Sequence, residues 1–238
     1  MDTKLLVDTK GSREDSVSDI QPFLCINHKP IYFKEDWDTG IGGGLWSTGK
    51  AMALYFRDNT TMLRRNLRNI ADASKIRSDG KVRALELGSG NGLLSVCLGA
   101  AADDLISELM VTDLHDHLDL IQRTLDDNSN IMQSGRYNVV EHKWGDFEKF
   151  QGEKFDFIFG SDLAYWDLQE PLIKSLKYFC HLNTICLIGV TMHDTKPSFF
   201  SRLRENGFLY DRIPDHAMSG EFRGTTFGLF VIRRAKSC

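Results

Sequence analysis

In Ala84-Leu-Glu-Leu-Gly-Ser-Gly-Asn-Gly-Leu93, an apolar run that starts at Val82 is cut by three glycines at alternate positions, Gly88, Gly90 and Gly92. A second apolar run, Leu93 to Leu98, follows at once. This order reads as a strand, a tight glycine loop and a helix. Glycine has no Cβ, so the backbone can turn sharply there and let a ligand lie against it. The next apolar run, Leu109–Thr112, is closed by Asp113. That residue falls about 20 positions past the last glycine, where a second parallel strand ends and a carboxylate meets ribose hydroxyls. The unit is built for a nucleoside-containing cofactor.

The glycine spacing selects among such cofactors. A dinucleotide loop reads G-x-G-x-x-G and presents a helix N-terminus to a pyrophosphate. Counted from Gly88 and Gly90, the third glycine would fall at position 93, which is leucine. Glu86, just before the loop, would repel a pyrophosphate. A cofactor with a cationic centre and no phosphate suits these residues better. S-adenosyl-L-methionine carries a sulfonium, an amino group and a ribose, which suits Glu86, the glycines and Asp113 together.

Outward from the loop, apolar runs alternate with helical patterns. The spacing predicts strands at 82–87, 108–113, 137–142, 155–160, 184–190, 207–213 and 225–232. Helices are expected near 92–102, 116–127, 168–180 and 196–205. This alternation means βαβ units: an α/β, Rossmann-like, seven-stranded and mostly parallel sheet with helices on both faces. No helix separates the last two strands, so one of them runs antiparallel. Before the core lies an N-terminal extension. Phe23–Ile26 and Pro30–Phe33 suggest a hairpin, Gly40–Gly44 a flexible loop, and Trp46 to Phe56 a helix. The expected division is a flexible tail at 1–20, the extension at 21–80 and the cofactor-binding core at 81–238.

In an open sheet of this kind, ligands lie beyond the carboxyl ends of the strands. That rule gathers the glycine loop, Asp113, the turn at Trp144–Phe147 and the segment Ser161–Trp166. Trp144 can stack on an adenine and Asp146 can accept from its amine; the alternative makes them a core tryptophan and a turn residue. Ser161 stands at the cofactor edge of the last segment. Asp162 can hold and orient an acceptor amine, with Tyr165 shaping a narrow channel. The alternative is a loop whose tyrosine packs on Trp166. Trp46 either covers the cofactor or anchors the first helix. His115-Asp-His117 has no third ligand nearby and reads as structural or solvent-exposed. Asn128 and Asn130 read as caps at a helix end.

Glu86-Leu-Gly-Ser-Gly-Asn-Gly92 resembles motif I of the seven-β-strand, class I methyltransferases. Trp144-Gly-Asp146 and Asp162-Leu-Ala-Tyr165 extend the resemblance to the protein lysine methyltransferases of the methyltransferase-16 family, in particular the methyltransferase-like twenty-one group. Matches run from Trp46 to Arg233. The resemblance implies a Rossmann-like fold with one reversed strand and S-adenosyl-L-methionine as cofactor. It implies a lysine acceptor on a folded protein such as a chaperone, ATPase or translation factor. Asp162 and Tyr165 match its D-x-x-Y motif as catalytic residues. Trp46, Glu86, Gly88, Gly90, Gly92, Asp113, Trp144, Asp146 and Ser161 are the cofactor set. Two other functions stay open: a methyltransferase for a small-molecule or nucleic-acid amine, and a non-catalytic chaperone-binding module that retains the fold. Against base methylation, Ser161–Tyr165 lacks the prolines of N-P-P-Y.

Composition sets the outer bounds. The chain has 238 residues, 42% hydrophobic and 26% charged, with a net charge of −4. That suits one domain with a full core and gives a nucleic-acid backbone no electrostatic support. Cys25, Cys97, Cys180, Cys186 and Cys238 form no C-x-x-C pair, so a reducing compartment is favoured and no metal site is expected. With no signal pattern or membrane-length apolar run, the expected protein is a cytoplasmic monomer, the nucleus remaining open, with no membrane or nucleic-acid partner.

Overall fold

The computed structural model describes residues 21–74, 79–132, 135–165 and 168–235. The expected tail at 1–20, Trp166 and Cys238 lie outside them. Strands β1 (Leu24–Ile26) and β2 (Lys29–Ile31) pair as an antiparallel hairpin. Its turn residues Asn27 and His28 have φ of 50° and 62°, the left-handed geometry of a two-residue hairpin turn. Helices α1 (Ser47–Asp58) and α2 (Thr60–Ser74) follow, then β3 (Val82–Leu87), α3 (Leu93–Ala102), β4 (Ile106–Asp113), α4 (Leu118–Asp127) and β5 (Tyr137–Glu141). The chain continues through β6 (Phe155–Ser161), α5 (Gln169–Phe179), β7 (Cys180–Thr191), α6 (Ser198–Glu205), β8 (Phe208–Arg212) and β9 (Phe227–Arg234).

The seven core strands stand in the order β5-β4-β3-β6-β7-β9-β8. Pairs β4/β5, β3/β4, β3/β6 and β6/β7 are parallel, whereas β9 is antiparallel to both β7 and β8. The single reversed strand is the last in sequence but sits inside the sheet, between β7 and β8. Strand order reverses between β3 and β6. At such a switch point the loops part and leave a crevice beyond the strands' carboxyl ends.

Alternation along the strands supplies two cores. In β3, Val82 and Ala84 face α1–α4, while Leu85 and Leu87 face α5 and α6; in β9, Leu229 and Phe230 divide the same way. Under α5, the Phe179 ring meets those of Phe150, Phe155 and Tyr178 at 5.1, 5.6 and 5.2 Å, all edge-on. Each fully buried phenyl contributes about 1.5–3 kcal/mol. All ten residues of α3 are buried. The β1–β2 hairpin covers its end, where Asn27 Nδ2 donates to the carbonyls of Ala100 and Ala101 at 3.2 Å each. Those are carbonyls a helix C-terminus leaves unpaired.

Asn128 does more than end α4. Its φ is −113°, so it is not the left-handed cap its residue type suggests. Fully buried, it donates to the carbonyls of Tyr32 and Thr124 and accepts from Tyr32 N, which ties the hairpin to the core. Cys97, Cys180 and Cys186 are buried, as their apolar neighbours imply. Among the described residues, no helix is long and apolar enough to cross a membrane.

Candidate functional site

All three loop glycines adopt the conformation their spacing calls for, with φ of 58° at Gly88, 65° at Gly90 and 82° at Gly92. A Cβ at Gly88 would lie 2.8 Å from Leu163 and 2.9 Å from Trp144, so both flank the loop. A Cβ at Gly90 would lie 2.6 Å from the Gly42 carbonyl oxygen. The Gly40–Gly44 segment is therefore packed onto the glycine loop. It forms a strap, fastened where Asn91 Nδ2 donates to Gly44 O at 2.8 Å and Arg123 pairs with Asp36 at 2.9 Å.

Asp113 projects from the end of β4, with its side chain only 11% exposed. Oδ2 accepts from Gly90 N at 2.6 Å, and Oδ1 accepts from Leu114 N at 2.7 Å. The carboxylate thus fixes the glycine loop. It does not cap the following turn, at whose start no side-chain cap is formed.

Glu86 is buried to 1% exposure in β3. Ser95 Oγ donates to its Oε2. Burial pushes its carboxyl up to about 8, Asp113 pushes the same way, and the hydroxyls of Ser95 and Ser89 oppose them. Among the described residues, no cation is paired with it. A ligand bearing an ammonium or sulfonium beside Glu86 would favour its ionised form. Side-chain-free glycine positions, a carboxylate at the end of the second core strand and a buried carboxyl that a cation would ionise together fit S-adenosyl-L-methionine.

The Trp144–Asp146 turn leaves β5. Gly145 has φ of 88°, and its N–H donates to Ser175 Oγ at 3.0 Å. The buried His142 ring lies 3.1 Å from the same oxygen, and burial pushes its imidazole down to about 4, so it is neutral. Trp144 is brought to the glycine loop by this turn. Asp146, two residues on, is exposed, and its carboxylate accepts from Glu148 N at 3.2 Å. Trp46 lies on the strap side at the start of α1, donating from Nε1 to Ile41 O at 2.9 Å with its ring edge-on to Trp37.

Beyond β6, Asp162 has φ of 56°, an unusual left-handed conformation for a side-chain-bearing residue. Its N–H donates to Gly189 O at 2.9 Å, and Thr191 Oγ1 donates to its carboxylate at 3.2 Å. Burial pushes this carboxyl up to about 6; Thr191 lowers it and Asp194 raises it. Ser161 lies between the N-terminal turn of α1 and β7, its Oγ 3.5 Å from where a Gly49 Cβ would stand. Tyr165 is 40% exposed at the rim. Burial raises its phenol, and Asp113 acts in the same direction, which places the phenol within electrostatic reach of that carboxylate.

The sequence does not single out Leu163, Thr191 or the strap, which reach the site through long-range contacts. It reads His117 as structural or solvent-exposed; the structure largely buries the ring, with Nδ1 2.9 Å from Asp113 Oδ1. The only signal was its spacing, four residues after Asp113. Among the described residues, no three His, Cys, Asp or Glu side chains group as a metal site.

Comparison with known proteins bears on this geometry. A family model described as lysine methyltransferase matches residues 26–206. EEF1A lysine methyltransferase 3 of Xenopus tropicalis is 26% identical over 174 residues, covering 68% of this chain and 67% of that protein. Protein-lysine N-methyltransferase EFM6 of Saccharomyces cerevisiae is 21% identical over 189 residues, covering 71% of this chain and 72% of its own length. In fold, the CurJ carbon methyltransferase superposes with a TM-score of 0.55 at 14% identity, over 80% of this chain and 56% of that one.

Proposed function

Because this chain belongs to the lysine methyltransferase family, we propose that its acceptor is a lysine of a translation factor, EEF1A being the one named for its relative. The chain is an S-adenosyl-L-methionine-dependent protein-lysine N-methyltransferase. One observation carries the siting of the chemistry. Leu163, inside Asp162–Tyr165, touches the Gly88 wall, so the acceptor segment and the cofactor loop share one cleft.

When bound, S-adenosyl-L-methionine supplies a methyl group already activated by its sulfonium charge. The residues then have to bind the two substrates and align the amine, whose proton leaves to solvent before attack. Asp113 accepts from the ribose hydroxyls, Trp144 covers the adenine, and Glu86 faces the cationic amino acid part. Ser161 and Trp46 border the cofactor, and Asp146 closes its outer edge. A lysine ammonium has no lone pair and must lose a proton before it can attack. Asp162 attracts and orients that nitrogen, and Tyr165 walls the channel. Alignment of this kind supplies much of the rate in a displacement reaction. We read the protein as a monomer with a protein partner and neither a nucleic-acid nor a membrane partner.

The test is incubation with radiolabelled S-adenosyl-L-methionine and purified EEF1A. A labelled EEF1A band whose peptide mass places the methyl on lysine is expected. Label confined to nucleic acid or a small molecule, or none in a protein that still binds S-adenosylhomocysteine, would overturn the acceptor assignment.

A further inference from the structure

Strap and ribose carboxylate meet at a single imidazole. His117 Nδ1 contacts Asp113 Oδ1 at 2.9 Å, and the His117 side chain is only 12% exposed. Its ring lies against Gly42, where a Cβ would stand 2.6 Å from Nε2. Gly42 in turn lies against Gly90, and Gly90 N donates to the other oxygen of Asp113. His117, Asp113, Gly90 and Gly42 thus close a ring of contacts across three segments of chain. We propose that His117 is a positioning residue for the cofactor: it orients the Asp113 carboxylate toward the ribose and clasps the Gly40–Gly44 strap over the glycine loop. This rests on the ribose role of Asp113.

The chemistry of the contacts favours one protonation state. A carboxylate only accepts hydrogen bonds, so Nδ1 must carry a proton. The Thr39 backbone of the strap acts on the ring in the same direction as Asp113, as the weakest of the influences that raise it. An imidazolium meets Asp113 with a positive charge as well as an N–H; a neutral ring offers the N–H alone. The charged groups acting on the ring are Asp113 from β4 and Asp116 from its own turn. The strap presents the Thr39 backbone and Gly42, its Asp36 being paired with Arg123 of α4. The hydrogen bond to Asp113 raises the imidazole most, burial opposes it, and the net direction is upward from 6.5. The clasp is therefore complete below its ordinary value and loosens as pH rises through the raised one.

The experiment compares wild type with His117→Ala, His117→Asn and Asp113→Ala. Two quantities are read: S-adenosylhomocysteine affinity by calorimetry between about pH 6 and 9, and amide hydrogen exchange of residues 40–44 in the cofactor-free protein. His117→Ala should lose affinity on the order of tenfold near pH 6.5, the scale of one charge-assisted hydrogen bond. Strap exchange should accelerate similarly, with exchange in β3 unchanged. Asparagine keeps an N–H toward Asp113 but does not titrate. His117→Asn should recover much of the affinity, and its deficit against wild type should shrink as pH rises. Glu86 and Asp162 titrate in the same interval in every variant, so the ratio to wild type is the quantity to read. Wild-type affinity and strap exchange in His117→Ala, or a pH-independent ratio for His117→Asn, would overturn the clasp. Wild-type affinity in Asp113→Ala would refute the ribose role itself, whereas loss there with none in His117→Ala refutes only the clasp.

Discussion

Replacing Glu86 by glutamine should change how stability depends on pH, in a direction and size the structure sets. The carboxyl moves from its ordinary 4.5 to about 8 chiefly because it is wholly buried, with Asp113 acting in the same direction. Between these values the folded protein holds a proton that the unfolded chain has released. Stability therefore falls as pH rises through the window, with the folding equilibrium shifting about tenfold per pH unit. Across the whole window this is on the order of 5 kcal/mol, a large part of a domain's stability. Glu86→Gln has no such proton. Its amide carries its own cost, about 1–3 kcal/mol if a buried N–H is left unpaired, but that cost does not vary with pH.

The quantity to measure is the difference between the two proteins in urea unfolding free energy, at intervals from pH 5 to 9 without cofactor. Other titrating groups, His117 and Asp162 among them, are present in both and cancel. The variant should gain on the wild type steadily up to about pH 8 and then level off. Parallel curves would show that Glu86 is not held protonated, and the argument that a cationic ligand ionises it would fail.

A side chain at Gly90 would meet two obstacles, a φ of 65° and the Gly42 carbonyl 2.6 Å away. Gly90→Ala should therefore displace the strap and weaken S-adenosylhomocysteine binding at least tenfold in calorimetry, while circular dichroism shows the fold kept. Asp162→Asn should bind S-adenosylhomocysteine normally and lose about 100-fold in turnover, as a misaligned amine implies. Wild-type kcat/KM should fall as pH drops through about 6 and Asp162 takes up a proton, a step the variant lacks. Tyr165→Phe should cost less in the same assay if the ring only lines the channel. Asn128→Ala removes the side-chain partner of the partly buried Tyr32 backbone and of the buried Thr124 carbonyl and should cost about 1–3 kcal/mol in urea unfolding.

Features written in local backbone requirements were legible in the sequence. A left-handed φ at three alternate positions demands glycine, and Gly88, Gly90 and Gly92 announce the loop by that demand. Apolar runs placed the core strands because both faces of the sheet are covered. Helix α2 has helical spacing in Leu63, Leu67, Ile70 and Ala71, but it precedes the first core strand, so strand–helix alternation does not point to it. The position of β9 was not legible either. An antiparallel last strand can join an edge or insert between neighbours, and only its pairing with both β7 and β8 distinguishes the two. Gly40–Gly44 read as a flexible loop because its fastenings lie far along the chain, at Gly90, Asn91 and His117. The same holds for His117, whose role appears only when the strap is laid over it.

In the proposed assignment three carboxylates serve the cleft, and their environments suit the binding of two cations, the cofactor and the incoming lysine ammonium. Glu86 and Asp162 are each buried enough to hold a proton more tightly than an exposed carboxylate would. In the proposed assignment, the amino acid part of the cofactor completes Glu86, and the incoming lysine completes Asp162. Each carboxylate gains from ionising only when its cation arrives, because desolvation penalises an unpaired charge. Burial that retains these protons keeps like charges from packing together, and binding of the cations can drive the protons off. Methyl transfer removes the sulfonium charge, so Glu86 faces a less cationic product than the cofactor it bound. Electrostatics that draw the reactants in then hold the spent cofactor less strongly. This account requires Glu86→Gln to narrow the gap in affinity between S-adenosyl-L-methionine and S-adenosylhomocysteine. Calorimetry with both ligands at about pH 8 measures it, and an unchanged gap would separate Glu86 from the sulfonium's field.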